Sequence, residues 1–491
     1  MERSAGVLCP LFSVPGNQGI GDFGVKTKKI IDCFADAGFK IWQILPIQIT
    51  GQTHSPYQTL SSFAGDPIYI NIDRLCEMGL LTQSSIVNCN KFKTRVDYTQ
   101  VRAFKEVYFR RAFKAFKKNF SQFKKAYRQF EEEAFWLSNW SLYALFRGLH
   151  NEVAWTQWDE EYRDWFYDPS GVDLQEYEDE LFYIKFLQFI FYQQLDEIVD
   201  YAHSKGIQIM GDVPFYVDLD SADVWSDRPD FMLNRHGEAE FIAGCPPDYF
   251  AKEGQRWGMP TYDFRHMKKN NYRFWRQRMD WMNRCFDIVR IDHFRAFVNY
   301  WKIPASCPTA IDGVWVDAPG DDILAYVTKD NPDIQLVAED LGDNLGEEIF
   351  DLEKKYHIPG LQVQLFRMET KLLRQEVSED CVYYSGTHDN ATILEDYATY
   401  DNNKRISLRR FFKKRGYTHR AFNDMLCHFL LDSKANTVIL PIWDICGFKK
   451  EARINCPGCV SDENWTWKLK DLKKVQEDLV KIKKWIQDAK R

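Results

Sequence analysis

The sequence contains no apolar run near the roughly 18 residues that a membrane-spanning helix needs, so no membrane partner is expected. Residues 1–10 lack a charged stretch followed by an apolar one. This start gives no sign of a secretory signal and favours a cytoplasmic location. Internal repeats and low-complexity tracts are also missing. These absences leave an ordinary globular protein as the expectation.

Cysteines are present but form no disulfide framework. The twelve of them are scattered along the chain, and we expect mostly reduced, buried thiols. Cys456 and Cys459 have a spacing found in metal and redox motifs, but no second pair accompanies them. A zinc or redox role for this pair is therefore the less favoured interpretation. No other cluster of metal-ligand residues is visible, and no metal site is predicted.

The chain also lacks a large excess of charge. It has 64 Lys plus Arg and 71 Asp plus Glu, a net charge of −7. This mild acidity argues against nucleic acid as a partner and is compatible with a neutral substrate. Aromatic residues are plentiful, with 16 Trp, 24 Tyr and 36 Phe. Most of these rings fit a large core, and some could stack on the apolar faces of sugars.

Eight short apolar runs, interleaved with helical patterns, predict the fold. They cover residues 5–11, 40–46, 207–213, 287–292, 335–340, 360–365, 381–387 and 436–443. This alternation predicts an α/β protein, a (β/α)₈ TIM barrel rather than an open sheet. With 491 residues, the chain is long enough for such a barrel with insertions. We therefore interpret residues 1–491 as one catalytic barrel.

Two of the connections are too long for a single helix. Residues 50–185 predict a largely helical inserted subdomain, and residues 215–268 predict a long loop over the active site. Both insertions would lie on the C-terminal rim of the barrel. The first contains an aromatic stripe at helical spacing: Phe109, Phe113, Phe116, Phe120, Phe123, Tyr127 and Phe130. It predicts an amphipathic helix packed on a neighbour; a membrane-surface, nucleic-acid or partner-binding helix is the alternative.

Four of the apolar runs end in a carboxylate, at Asp212, Asp292, Glu339 and Asp389. A β-branched run that stops in a charge is typical of a buried parallel strand that reaches a cleft. Several strands that bring acids to one rim are how a TIM barrel assembles an active site. Acids in this arrangement, without a metal-ligand cluster, indicate the cleavage of glycosidic bonds.

Cleavage with retention needs one ionised carboxyl to attack the anomeric carbon and one protonated carboxyl to protonate the departing oxygen. Asp292 fits the first role, because Arg290 lies on the same side of the strand and keeps the acid charged. Glu339 fits the second role, because the apolar residues before it would raise its pKa by desolvation. Asp389, next to His388, fits the binding of sugar hydroxyls.

Each acid also has a purely structural interpretation. A strand-end Asp can cap the helix that follows, and for Asp212 capping and sugar binding fit the sequence equally well. Asp292 could form a plain ion pair with Arg290 and His293. The order of the acids on successive strands favours the catalytic interpretation.

Longer motifs extend this pattern over nearly the whole chain. They include Gly19–Gly24 (GIGDFG), residues 55–58 (SPYQ), 62–67 (SFAGDP), 211–217 (GDVPFYV), 254–258 (GQRWG), 290–295 (RIDHFR), 338–342 (AEDLG), 386–390 (GTHDN) and 451–455 (EARIN). In these segments the chain resembles the amylomaltases, also called disproportionating enzymes or 4-α-glucanotransferases, of glycoside hydrolase family 77. The resemblance runs from Gly6 to about Leu469.

The resemblance implies a role for each residue of the site. It makes Asp292 the nucleophile that forms a covalent glycosyl-enzyme, Glu339 the acid and then the base, and Asp389 the stabiliser of the transition state. The other predicted substrate-binding residues are Tyr57 as a platform, Trp257 on a loop over the acceptor, and Asp212, Arg290, His293 and His388 as polar groups. No cofactor is implied. The implied donors are maltooligosaccharides and other α-1,4-glucans derived from starch or glycogen, and glucose is an implied acceptor.

Three positions depart from the family pattern, at Met259, Ala391 and Trp443. We expect all three near sugar subsites, where they would alter acceptor preference. Two alternatives to transfer stay open. Hydrolysis would use the same intermediate with water as the acceptor, and a catalytically idle glucan-binding protein would retain only the sugar contacts.

Overall fold

The computed structural model describes residues 2–86, 95–247, 252–342, 345–459 and 461–491. Parts of both predicted insertions, residues 87–94 and 248–251, lie outside these ranges. Within them, none of the helices combines the length and the apolar character needed to cross a bilayer.

Eight parallel strands form a closed barrel. The eight barrel strands are β1 (Ser4–Leu8), β2 (Ile41–Gln43), β3 (Gln208–Val213), β6 (Ile288–Ile291), β9 (Gln335–Ala338), β10 (Gly360–Val363), β11 (Cys381–Tyr384) and β12 (Thr437–Pro441). The other four described strands are β4 (Phe241–Cys245), β5 (Gln255–Pro260), β7 (Asn299–Pro304) and β8 (Val314–Asp317). Around the barrel the order is β1-β12-β11-β10-β9-β6-β3-β2. Each predicted strand begins within one residue of an observed barrel strand, so the predicted fold is confirmed.

Helices surround the barrel and fill the insertions. They are α1 (Val25–Asp36), α2 (Ile72–Glu77), α3 (Tyr98–Lys118), α4 (Phe120–Glu133), α5 (Leu137–Leu149), α6 (Glu160–Arg163), α7 (Glu178–Ser204), α8 (Ala222–Ser226), α9 (Phe264–Lys269), α10 (Arg273–Cys285), α11 (Gly320–Asp330), α12 (Glu347–Tyr356), α13 (Ile393–Thr399), α14 (Asn402–Lys413), α15 (Phe422–Leu431), α16 (Ile442–Ile445) and α17 (Lys473–Asp488). The C-terminal helix α17 packs on α1 and α15, beside the strands that close the barrel.

The aromatic stripe lies on two helices rather than on the single helix predicted. Asn119 separates α3 from α4, and the rings of both helices face α7. The Phe116 ring lies 4.8 Å from that of Phe186 and 5.9 Å from that of Phe189, both on α7. Phe116 has no exposed surface. The stripe is therefore the core of the helical insertion, and its packing accounts for the pattern.

A small antiparallel sheet stands beside the barrel, with strand order β5-β4-β7-β8. Two of its strands fall within residues 215–268, where the sequence predicted a loop. These strands are short and interrupted by glycine, so they lack the apolar alternation that predicts a strand. The sheet holds Trp257 and Met259 on β5, above the rim of the barrel.

Strand register fixes the order of the acids on the rim. Asp212 on β3 pairs with Arg290 on β6, and Ile291 pairs with Ala338 on β9. Asp292 and Glu339 are the next residues on these two adjacent strands. Parallel neighbours in register end together, so their side chains emerge side by side.

Candidate active site

Glu339 is hydrogen-bonded to the stretch of backbone that contains Asp292, residues 291–294. The N–H of Glu339 donates to the carbonyl of Ile291 at 3.0 Å, and the N–H of Phe294 donates to the carbonyl of Glu339 at 2.9 Å. The N–H of His293 donates to Oε2 of Glu339 at 2.7 Å. His293 has a φ of 54°, in the left-handed region, and this turn directs its N–H at the carboxyl. The two acids are thereby held next to each other.

The two carboxyls have unequal affinities for a proton. Burial and the neighbouring charge of Asp292 raise the pKa of Glu339 well above its usual range. Burial also raises the pKa of Asp292, to about 6, although Arg290 opposes the rise. Near neutral pH, Asp292 is therefore mostly ionised, and Glu339 holds its proton more strongly than an exposed glutamate does. The prediction that Arg290 keeps Asp292 charged did not include the larger, opposing effect of desolvation.

A buried ionic network lies behind Asp292. Arg290 Nη1 donates to both oxygens of Asp212, at 2.6 and 2.7 Å, and to Oδ1 of Asp292 at 3.1 Å. The hydroxyl of Tyr57 donates to Oδ2 of Asp212 at 2.8 Å. The Asp212 side chain has no exposed surface. It caps none of the described helices, so the capping interpretation is wrong.

Asp389 is held by two partners that favour its charged form. Asn455 Nδ2 donates to its Oδ1 at 2.7 Å, and His388 Nε2 lies 3.4 Å from its Oδ2. Burial would raise the pKa of Asp389, but His388, Asn455 and Arg290 together lower it to about 2. The side chain is 44% exposed, so this carboxylate remains ionised and open to hydroxyl groups.

Aromatic rings enclose the space above these acids. The Tyr57 ring stacks on that of His388, with centroids 4.9 Å apart and planes inclined by 16°. The Trp257 ring stands perpendicular to that of His293, at 4.8 Å. Burial, with the charge of Arg295, lowers the pKa of His293 to about 4, which leaves the ring neutral. Flat apolar faces beside fixed polar groups suit sugars, whose rings have both characters.

These groups border one cavity of about 510 Å³. Its walls come from segments 53–58, 214–216, 255–259, 455–459 and 461–465, together with Asp292, His293, His388 and Asp389. Six of the nine predicted site residues line the cavity, and Glu339 contacts its lining through the N–H of His293. Arg290 and Asp212 also contact the lining, through Asp292 and Tyr57. Asp212 and Arg290 lie beneath it.

Of the three departures from the family pattern, only Met259 lines the cavity. Trp443 is 1% exposed and packs edge-on against Trp467. It therefore lies in the core, and the prediction that it lies near a sugar subsite is wrong. Ala391 is likewise not among the residues that border the cavity.

Sequence reasoning missed Asn455 and Trp465. Asn455 reaches Asp389 across 66 residues of chain, and Trp465 lies beside both Tyr57 and His388, with ring centroids 5.8 Å apart in each case. The matching family segment at residues 451–455 was the only signal for Asn455. For Trp465 the sequence offered no pattern at all.

Known proteins match this chain along almost its whole length. The model of the 4-alpha-glucanotransferase family matches residues 9–474. The 4-alpha-glucanotransferase of Thermus thermophilus is 34% identical over 480 residues, covering 96% of this chain and 95% of the relative. That of Clostridium butyricum is 34% identical over 474 residues, covering 94% and 95%.

A solved structure agrees with the sequence matches. The amylomaltase from Streptococcus agalactiae in complex with acarbose is similar with a TM-score of 0.92 at 27% identity, and the match covers 100% of both chains.

Proposed function

Because the chain belongs to the 4-alpha-glucanotransferase family, we propose that it moves α-1,4-glucan segments from a donor maltooligosaccharide to an acceptor glucan or to glucose. The reaction is a double displacement through a covalent glycosyl-Asp292 intermediate, with retention at the anomeric carbon. The observation that carries this proposal is the unequal proton affinity of two adjacent carboxyls. Asp292 faces Arg290 at 3.1 Å, whereas desolvation and the charge of Asp292 raise the pKa of the half-buried Glu339.

In the first step, Glu339 donates its proton to the glycosidic oxygen while Asp292 attacks the anomeric carbon. The bond from that carbon to the oxygen breaks, and the released part of the donor leaves with the proton. Arg290 stabilises the charge of Asp292 until the ester forms. Glu339 is left ionised and next to the ester, where it can serve as a base.

In the second step, the hydroxyl of an acceptor sugar occupies the place of the leaving group. Glu339 removes its proton, the oxygen attacks the anomeric carbon, and the ester to Asp292 breaks. Two inversions give net retention. Asp389, ionised and half exposed, accepts hydrogen bonds from the ring hydroxyls, which strengthen as positive charge develops on the sugar.

Transfer requires that a sugar compete with bulk water at roughly 55 M, so the acceptor must be bound and the ester shielded. The rings of Tyr57, Trp257 and Trp465 are suited to both tasks. Tyr57 also has its hydroxyl fixed on Asp212, which orients the ring as a platform. We assign Tyr57 to the donor side and Trp257 to the acceptor side, and we treat hydrolysis as a side reaction.

The product profile from maltotriose alone tests this proposal. Transfer yields glucose together with chains longer than three sugars, which chromatography resolves. Glucose and maltose without longer chains would mean hydrolysis, and binding without turnover would mean an idle glucan-binding protein. Each of these two results contradicts the proposed activity.

The covalent step has its own test. Glu339→Gln protein is mixed with an activated donor, an α-maltosyl fluoride, and quenched in acid. We expect a glycosyl adduct on the peptide that contains Asp292, because the ester forms without acid assistance but then lacks its base. An adduct on another carboxylate would remove Asp292 from the role of nucleophile.

A further inference from the structure

Cys456 and Cys459 are the first and last residues of a tight turn. The N–H of Cys459 donates to the carbonyl of Cys456 at 3.1 Å, and Gly458 between them has a φ of 73°. Proline second and a left-handed glycine third are the signature of a type II turn, whose ends lie within about 7 Å. A disulfide needs Cα atoms roughly 4.4–6.8 Å apart. The backbone therefore already places these two cysteines at bonding range.

The turn belongs to the wall of the active-site cavity. Both cysteines border it, together with Asn455 and Asp389. Asn464 secures the turn from the side: its Oδ1 accepts from the N–H of Cys456 at 3.2 Å, and its Nδ2 donates to the carbonyl of Cys459 at 2.8 Å. A change at the sulfurs is therefore passed on to the backbone of Asn455, the residue directly before Cys456.

No other described cysteine shares this position. Cys9, Cys285, Cys381, Cys427 and Cys446 are buried, and Cys459 alone is exposed among the described cysteines. In the same ranges, no group of three or more acids, histidines and cysteines could hold a metal ion. A structural zinc site needs four ligands, so two thiols without further ligands favour sulfur chemistry over metal binding.

We propose that Cys456 and Cys459 form a thiol–disulfide site in the wall of the cavity, that small-molecule disulfides such as glutathione disulfide oxidise it, and that the protein disulfide lowers transfer activity. The exposed Cys459 is the sulfur that an external disulfide reaches first. The half-buried Cys456 is its partner within the turn.

The thiol–disulfide exchange takes place in two steps. The Cys459 thiol loses its proton to water, and the thiolate attacks one sulfur of glutathione disulfide. That S–S bond breaks, one glutathione leaves as a thiolate, and a mixed disulfide remains on Cys459. Cys456, deprotonated in turn, attacks Sγ of Cys459 and expels the second glutathione. Two protein thiols are oxidised, and one external disulfide is reduced to two thiols.

Closing the bond brings the sulfurs to about 2.05 Å and constrains the χ angles of both cysteines. Asn455, which directly precedes Cys456, then shifts relative to Asp389, whose Oδ1 it binds at 2.7 Å. Asp389 loses a partner that lowers its pKa and fixes its orientation. Because displacing a reacting group by about 1 Å can cost up to 100-fold in rate, we expect oxidation to reduce turnover roughly tenfold.

The test uses the full-length protein in glutathione buffers from fully reduced to fully oxidised. Mass spectrometry after alkylation detects the peptide that links Cys456 to Cys459, and maltotriose turnover is measured on the same samples. We expect the disulfide and the loss of turnover to rise together and to reverse with dithiothreitol. The mass readout stands apart from the proposed function, so failure of one is distinguishable from failure of the other.

Two single variants serve as controls. In Cys456→Ser protein, the mixed disulfide with glutathione should accumulate on Cys459, because its resolving partner is missing. In Cys76→Ser protein, on α2 and away from the cavity, the response to the oxidant should equal that of the wild type. No disulfide between Cys456 and Cys459 in glutathione disulfide alone would overturn the proposal. Full disulfide formation with unchanged turnover would overturn its effect on activity.

Discussion

The backbone N–H of His293 donates to Oε2 of Glu339 at 2.7 Å, so the residue after the proposed nucleophile orients the proposed acid. His293 does this in a left-handed conformation, with a φ of 54°. That conformation costs a residue with a side chain about 1–3 kcal/mol and persists where the surroundings enforce it. Here two adjacent strand ends enforce it, and the local strain lies between the two residues of the proposed catalytic pair.

Replacement of Asp292 by Asn should abolish transfer. The amide is nearly isosteric but cannot form the ester, and loss of a nucleophile typically costs roughly a thousandfold or more in turnover. Glucose release from maltotriose measures the effect. Asp280→Asn, an exposed change on α10, is the matched control and should keep full activity. If the Asp292→Asn protein turned over within tenfold of wild type, Asp292 would not be the nucleophile.

Replacement of Glu339 by Gln should affect donors unequally. Maltotriose needs a proton on its leaving oxygen, and acid catalysis contributes roughly 100- to 10,000-fold. A fluoride donor needs little protonation, so its first step should be nearly normal. The ratio of fluoride release to maltotriose turnover, compared with the exposed control Glu347→Gln, measures this difference. Equal losses on both donors would count against Glu339 as the acid.

The pH profile of kcat/KM should be bell-shaped. Activity needs Asp292 ionised, and its pKa of about 6 places the acidic limb there, with activity lost as the pH falls through that value. Glu339 must be protonated, so activity also falls at high pH, as the pH passes its raised pKa.

A charge deletion tests which groups set the acidic limb. The negative charge of Asp212 raises the pKa of Asp292, so Asp212→Asn should move this limb to lower pH. The exposed Asp200→Asn variant should leave the profile in place. If the acidic limb moved to higher pH in the Asp212→Asn protein, Asp212 would lower the pKa of Asp292 rather than raise it.

Two variants of Tyr57 separate its ring from its hydroxyl. Tyr57→Phe removes the hydrogen bond to Asp212, worth about 0.5–1.5 kcal/mol, and the longer contact with Nδ1 of His388 at 3.4 Å, and should change KM no more than roughly tenfold. Tyr57→Ala also removes the stacked surface on His388 and should raise KM for maltotriose considerably more. Tyr167, 67% exposed, provides the matched Phe and Ala controls. Equal effects of the two Tyr57 changes would contradict the platform role.

Phe116→Ala should destabilise the helical insertion. Its ring is fully buried among the rings of α7, and removing such a ring typically costs about 3–5 kcal/mol. Urea unfolding measures the change in the free energy of unfolding. Phe350, 47% exposed on α12, gives the control Phe350→Ala, with an expected change within about 0.5 kcal/mol. Similar costs at both positions would exclude Phe116 as the centre of that core.

The barrel was predictable because its strands are buried on both faces and read as apolar runs. The acids at their ends were predictable because a charged residue stands out where such an apolar run stops. The small sheet was not, since strands such as β5 (QRWGMP) have no apolar alternation. The break at Asn119 was also hidden, because the aromatic period continues across it. The spacing of apolar side chains shows which face of a helix is buried, but it does not show where the helix is interrupted.

Within the site, the residues alone pointed to the acids that end strands, the family resemblance added the loop residue Tyr57, and Asn455 and Trp465 were missed. Asn455 acts on Asp389 only because the chain returns to the barrel 66 residues later. Trp443 shows the converse: it departs from the family pattern and was expected near a sugar subsite, yet its ring is in the core. The pKa of Asp292 depends on burial as well as on Arg290, and burial is a property of the folded chain.

The barrel closes where β1 pairs with β12, and the ring of Tyr57 meets those of His388 and Trp465. The residues that surround the cavity thus come from segments that are far apart in the sequence. Synthesis must pass Trp465 before these residues can meet. An unfinished product of translation would therefore be inert toward glucans, even after Asp292, Glu339 and Asp389 have all been synthesised.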